Sequence, residues 1–183
     1  MGFTRRSMTI KNTLSHQHGA IILIGMPGAG KSTIGVQLAK MLALDFVDTD
    51  ILIQQKAGMS LQAWLDKFGH LALRELEQDI LLHTQFEHSV IATGGSVVYS
   101  ESGMTRLREI GICFYLQISC KTMLSRVNNT KTRGLAVAPG TTLEGLYEER
   151  LPLYEKWAEH TVRCDGKSQE SILEDIAARL SDM

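Results

Sequence analysis

The sequence predicts an α/β domain, a three-layer sandwich in which a five-stranded parallel sheet is covered by helices. Three observations carry this. Short β-branched runs alternate with longer stretches of helical period, the pattern of strands joined by crossover helices. A glycine-rich turn stands between the first such run and the first helical stretch. The 183 residues, 44% of them hydrophobic, leave room for one core and supply enough apolar content to fill it.

Residues 1–19 have Arg5 and Arg6 but no apolar run behind them, so they read as a poorly ordered leader rather than a secretory signal. A single domain is expected over 20–183. Its strands are Ala20 to Ile24, Phe46 to Val47, Val90 to Ala92, Ile112 to Ile118 and Thr161 to Cys164, each too short for a buried helix. The first helix runs from about Lys31 to Leu44, with Ile34, Leu38, Met41 and Leu42 on the face that packs on the sheet. Between the second and third strands lies a helical insertion, about residues 51–86, with internal stops at Gly58 and Gly69. Ser60 is its internal N-cap, before Leu61, Trp64 and Leu65, and Leu73, Leu76 and Ile80 form the stripe of the helix after Gly69. Asn128 to Gly140 has little apolar periodicity and holds Lys131, Arg133, Gly134 and Pro139, so it is expected to be a mobile lid. Thr141 and Glu144 have the spacing of a capping box opening a helix through Leu143, Leu146, Tyr147 and Arg150, which Pro152 is expected to kink or interrupt. A last helix, Ser171 to Leu180, carries Ile172, Leu173, Ile176 and Leu180 on its sheet-facing side.

Composition excludes several functions. With 19 Lys plus Arg against 20 Asp plus Glu, a net charge of -1, there is no general basic field for nucleic acid, so any anion site must be local. The longest apolar stretch, Ala20 to Ile24, falls far short of the roughly 20 residues of a membrane span. Cys113, Cys120 and Cys164 are odd in number and lack C-x-x-C spacing, which argues against a disulfide framework or a zinc site and places the chain in the reduced cytoplasm.

Gly25-Met26-Pro27-Gly28-Ala29-Gly30-Lys31-Ser32-Thr33 matches G-x-x-x-x-G-K-[ST] in full, between a strand and a helix. From average residue frequencies, such a match arises by chance on the order of once in a hundred sequences of this length. Successive backbone N–H groups from Gly28, Ala29, Gly30 and the following residues can point into one concavity, to which the helix adds its partial positive charge. Lys31 can neutralise the outer phosphates of ATP, and the Ser32 hydroxyl, beside Thr33, is the expected Mg²⁺ ligand.

Asp48-Thr49-Asp50 ends the second strand at the carboxyl edge, where such sheets present ligands. If extended, the two carboxylates share a strand face, one to organise Mg²⁺ through water and the other to address an acceptor hydroxyl. Asp capping of the next helix fits the same residues. Arg74 lies three residues before Glu77, which can brace it. Arg126, Arg133 and Arg150 are scattered along the chain. Thr93-Gly94-Gly95-Ser96 follows the third strand as either a plain turn or a backbone wall for a small ligand.

In this order the pieces resemble the shikimate kinase family, from about Ala20 to Ala178. The resemblance rests on Gly25 to Thr33, Phe46-Val47-Asp48-Thr49-Asp50, Leu73-Arg74 with Glu77, Gly94-Gly95, Arg133-Gly134-Leu135, and Glu149-Arg150-Leu151-Pro152-Leu153-Tyr154. It implies a P-loop nucleoside kinase-like fold and Mg²⁺- and ATP-dependent phosphorylation of a shikimate hydroxyl, in aromatic amino acid biosynthesis, by a monomer. It further implies that Asp50 holds the acceptor hydroxyls and assists deprotonation, and that Arg74 and Arg150 grip the substrate carboxylate, with Gly94, Gly95 and Ser96 beside it. Asp48 would orient Mg²⁺, Arg133 would reach the transferring phosphate and Arg126 would lie by the adenine. Gln54, Leu73, Ser96 and Gly134 replace the family's usual glutamate, phenylalanine, third glycine and proline. Ser96 can narrow the pocket or donate a new hydrogen bond. Two other functions fit the same motifs: a kinase of another small hydroxy acid such as gluconate, and a nucleotide-binding regulatory homologue without transfer.

Overall fold

A computed structural model of the chain describes residues 19–127, 135, 136, 138 and 140–182. Among them are five strands in one parallel sheet: β1 (Ala20–Ile24), β2 (Asp45–Asp48), β3 (Ser89–Ala92), β4 (Gly111–Gln117) and β5 (His160–Arg163), in the order β2-β3-β1-β4-β5. β1 is buried along its whole length because helices cover both faces of the central strands, which is why it reads as a continuous apolar run rather than an alternating one. The edge strand β2 begins and ends on an aspartate. Its pairing with β3 extends over both, one residue beyond the apolar Phe46–Val47 pair on each side.

The first helix, α1 (Lys31–Leu42), stops two residues before the expected end. Ala43 takes a left-handed conformation and the Leu44 N–H turns back to Ala39 O at 3.0 Å, a helix-closing turn that delivers the chain into β2. The insertion consists of α2 (Thr49–Ala57) and α3 (Leu61–His83). Gly58 caps α2, and Ser60 caps α3 by accepting the Ala63 N–H, as anticipated. Gly69, expected as a stop, instead makes a kink at φ 81°, ψ 174° inside α3.

A short 3₁₀ turn, Val97–Tyr99, leads into α4 (Glu101–Ile110), and α5 (Cys120–Val127) follows β4. α6 (Leu143–Trp157) is capped by Thr142, whose hydroxyl accepts the Gly145 N–H, so the Thr141/Glu144 box does not form. Pro152 does not interrupt α6. It is exposed, so the carbonyl it leaves without a partner can turn to water. The last helix, α7 (Gln169–Ser181), starts two residues earlier than predicted and is capped by Ser168.

The chain winds from β1 to β2 and back to β3 on one side, then crosses to β4 and β5 on the other. Connections therefore diverge at the carboxyl end of β1, the crevice where open α/β sheets bind ligands. The main core surrounds this sheet, while Ile53, Leu73, Ile80 and Ala136 form a second cluster inside the insertion. Ala136, which falls within the expected lid, packs in that insertion cluster.

Candidate functional site

The glycine-rich turn runs from the end of β1 into α1, which starts at Lys31. Gly30 stands at φ 95°, a left-handed conformation that permits the sharp entry into the helix. The Lys31 ammonium folds back over the loop and donates to Gly25 O at 2.7 Å and Met26 O at 3.1 Å. Arg126, on α5, donates to Gly28 O at 2.8 Å, so this residue, distant in sequence, does lie against the phosphate loop. Ser32 and Thr33 are exposed in the first turn of α1 and face the adjoining cavity; Ala29 is buried beneath the loop.

That cavity has a volume of about 390 Å³. Gly28, Gly30, Lys31, Ser32 and Thr33 line one end, and Asp48, Asp50, Gln54, Glu77, Gly94, Gly95, Ser96 and Arg150 line the rest, with Leu135 and Ala136 at its margin. Asp48 and Asp50 both reach it, but not from a common strand face. β2 ends at Asp48, whose Oδ1 accepts the Asp50 N–H at 3.0 Å and caps α2. A helical turn, not a pleat, brings the two carboxylates together, and Asp48 both caps and lines the site. Thr49 between them is fully buried and accepts the Gly94 N–H at 2.9 Å, tying the end of β2 to the end of β3. The sequence reading left Thr49 out, since its hydroxyl acts through a partner 45 residues away.

Gly94 and Gly95 prove to be cavity wall rather than a plain turn. A Cβ on Gly94 would collide with Glu77 Oε1 and lie 3.0 Å from Asp50 Oδ1, and one on Gly95 would lie 3.0 Å from Arg150 Nη1. At Gly94 a Cβ would force the Glu77 carboxylate to shift, and at Gly95 it would crowd the Arg150 guanidinium.

Glu77 does not brace Arg74. It is 2% exposed, and its Oε2 accepts the Ser96 hydroxyl at 2.6 Å while Oε1 has no hydrogen-bond partner. Burial pushes its carboxyl up from 4.5 to about 7. The Ser96 hydrogen bond opposes this, the Asp50 charge adds to it, and Arg150 and Lys31 draw it back. Ser96 thus donates a hydrogen bond, as its replacement of a glycine allowed.

The two arginines assigned to one carboxylate are placed differently. Arg150, 1% exposed, lines the cavity and donates through Nε to Tyr99 Oη at 3.2 Å and through Nη2 to Ala136 O at 2.9 Å. Arg74 is not among the lining residues. Its guanidinium carbon lies 3.7 Å from the Tyr99 ring centroid, and its buried Nε has no hydrogen-bond partner. Gln54 donates to Asp50 O at 3.3 Å, and Leu73 is buried at the cavity edge. Arg133 and Gly134 lie outside the described residues.

Ser32, Asp48 and Asp50 place hard oxygen donors beside the phosphate loop, a donor set suited to Mg²⁺. Among the described residues there is no cluster of three or more His, Cys, Asp or Glu side chains that could hold a metal ion. No helix of the described residues is long and apolar enough to cross a membrane.

A family model described as shikimate kinase matches residues 27–181. The shikimate kinase of Vibrio parahaemolyticus is 39% identical over 165 residues, covering 88% of this chain and 96% of that protein. That of Paracidovorax citrulli is 37% identical over 167 residues, covering 88% and 91%. Among solved structures, the shikimate kinase of Acinetobacter baumannii in complex with shikimate superimposes with a TM-score of 0.83 at 28% identity, covering 93% of this chain and 97% of that one.

Proposed function

The chain belongs to the shikimate kinase family, and on that premise we propose that it transfers the γ-phosphate of ATP to a hydroxyl of shikimate. The observation that carries this reading is one cavity holding a phosphate loop with Lys31 at one end, buried Arg150 at the other, and Asp50 on its wall.

Phosphoryl transfer asks the protein mainly for positioning and charge stabilisation. The loop N–H groups and Lys31 hold the outer phosphates; on binding, the Lys31 ammonium exchanges its carbonyl partners for phosphate oxygens. Asp50 orients the acceptor hydroxyl and accepts its proton as the oxygen attacks the γ-phosphorus and the bond to the bridging oxygen of ADP breaks. Ser32 and Asp48 would hold Mg²⁺, which when bound would neutralise charge on the phosphates. Arg150, with Arg74 behind it, addresses the carboxylate of shikimate, and Gly94, Gly95 and Ser96 form the wall beside it. Arg126 faces the nucleotide from the far side of the loop. Arg133 is assigned to the transferring phosphate, where a guanidinium stabilises developing charge. The insertion about residues 51–86 forms the acceptor wall and the loop about 128–140 the lid of a single domain beginning near residue 20. Action as a monomer belongs to the same reading, and the absence of paired cysteines among the described residues suits the reduced cytoplasm.

The test is ADP release with ATP and Mg²⁺ in the presence of shikimate, gluconate or no acceptor, with the product identified by mass. Turnover that depends on shikimate and yields a monophosphorylated product is expected. Turnover with gluconate alone, or ATP binding without acceptor-stimulated ADP release, overturns the reading.

A further inference from the structure

Beyond these roles, the two arginines at the acceptor end share a partner that the charged motifs do not include. Tyr99 leaves the 3₁₀ turn directly after Gly94-Gly95-Ser96, held there by its own N–H to Ser96 O at 3.0 Å and by the Ser100 N–H to Val97 O at 3.0 Å. Its ring face carries the Arg74 guanidinium at 3.7 Å from the centroid, and its hydroxyl accepts from Arg150 Nε at 3.2 Å. The same hydroxyl donates to Glu149 Oε1 at 2.7 Å, which turns its lone pairs toward Arg150. The Arg150 guanidinium carbon is 5.2 Å from the ring centroid, so the two cations are no farther apart than the sum of these two distances.

Two guanidinium groups so close repel unless something between them is attracted to both, and an electron-rich phenol ring does this without a formal charge. The hold also spares the donors. A guanidinium stacked by its face keeps its in-plane N–H groups free of the ring; Arg74 stands outside the cavity lining, and its buried Nε has no hydrogen-bond partner. On Arg150, Tyr99 and Ala136 take Nε and Nη2, while Nη1 faces the Gly95 wall of the cavity. Glu77, which could have neutralised Arg74, is instead engaged by Ser96.

We propose that Tyr99 is the positioning residue of the acceptor site, holding Arg150 by its hydroxyl so that Nη1 is left for the carboxylate of the substrate, and holding Arg74 by its ring behind it. The substrate part of this rests on the shikimate reading above; the arrangement of the arginines does not.

The test compares Tyr99→Phe, which keeps the ring, and Tyr99→Leu, which removes it, with the wild type. Loss of a hydrogen bond to a charged group is expected to raise the shikimate KM of Tyr99→Phe about tenfold, with kcat and the ATP KM within about twofold. Removing the ring face as well should raise that KM about fiftyfold in Tyr99→Leu. A merely structural role would lower the melting temperature and leave the split between KM and kcat unchanged. An unchanged shikimate KM in a folded Tyr99→Phe and a folded Tyr99→Leu overturns the proposal, and Tyr99→Phe decides alone if Tyr99→Leu does not fold. If the wild type does not turn over shikimate, the substrate reading fails, and the arginine Nε–H NMR signals decide for Tyr99. An Arg74 signal shifted upfield by the ring in wild type and returned to the ordinary range in a folded Tyr99→Leu supports it. An Arg74 signal in the ordinary range in wild type overturns it.

Discussion

Replacing Glu77 by Gln should abolish one component of the pH dependence of stability. In the fold, burial raises this carboxyl to about 7, with the Asp50 charge adding to the rise and Ser96, Arg150 and Lys31 opposing it, whereas in the unfolded chain it returns to about its ordinary 4.5. Between those two values the native state binds more protons than the unfolded state, so stability falls as pH rises. The contribution is fully present below about 4.5 and lost as pH passes through about 7. Integrating the linkage between about pH 5 and about pH 8 gives a loss of about 2.5 kcal/mol, which Glu77→Gln cannot show. Titrating groups remote from Glu77 are common to both proteins and cancel in the difference. Urea denaturation of wild type and Glu77→Gln at those two pH values is the assay. With a urea slope of about 2 to 3 kcal/mol per molar, the wild-type midpoint should fall by about 1 M more than that of the variant. Parallel shifts of the two midpoints would refute the reasoning, since they would mean that Glu77 titrates alike in the folded and unfolded chains.

Three other perturbations follow from the same geometry. Ser96→Gly leaves both Glu77 oxygens without a partner and should destabilise the protein by about 2 kcal/mol near pH 8, where the lost hydrogen bond is charge-assisted, and by less near pH 5; denaturation at both pH values checks it. Gly94→Ala places a Cβ against the Glu77 and Asp50 carboxylates, and is expected to lower kcat/KM for the acceptor at least about tenfold while nucleotide binding, measured by calorimetry, is retained. Asp50→Asn should lower kcat about a hundredfold or more with little change in the KM for ATP, as steady-state kinetics would show, because the amide keeps the shape but accepts no proton.

The sequence alone determined what depends on neighbouring residues. Continuous apolar runs marked the buried central strands β1 and β4, Ser60 marked the start of α3, and the strand-loop-helix spacing around Lys31 marked the phosphate loop. These are set by backbone preferences and periodicities that act over a few residues, as is the order of charged motifs that carried the family resemblance. Local signals erred where a competing local geometry was nearly as good. Thr142 rather than Thr141 caps α6, Ala43 ends α1 early, and Asp48 ends β2 so that Asp50 stands in a helical turn.

Which side chain each charge would meet was decided only by the tertiary structure. Glu77 was within one helical turn of Arg74, yet it bonds Ser96, 19 residues away; Arg150 bonds Tyr99, 51 residues away; Arg126 reaches the phosphate loop across 98. For Glu77 and Arg150 the physical reason is burial. In water an ion pair one turn apart gains little, whereas beneath the sheet edge an unpaired polar atom is costly, so the packing of β3, α3 and α6 chooses the partners. Spacing along the chain brought these residues to the site, and only the shape of the enclosed space assigned each its contact.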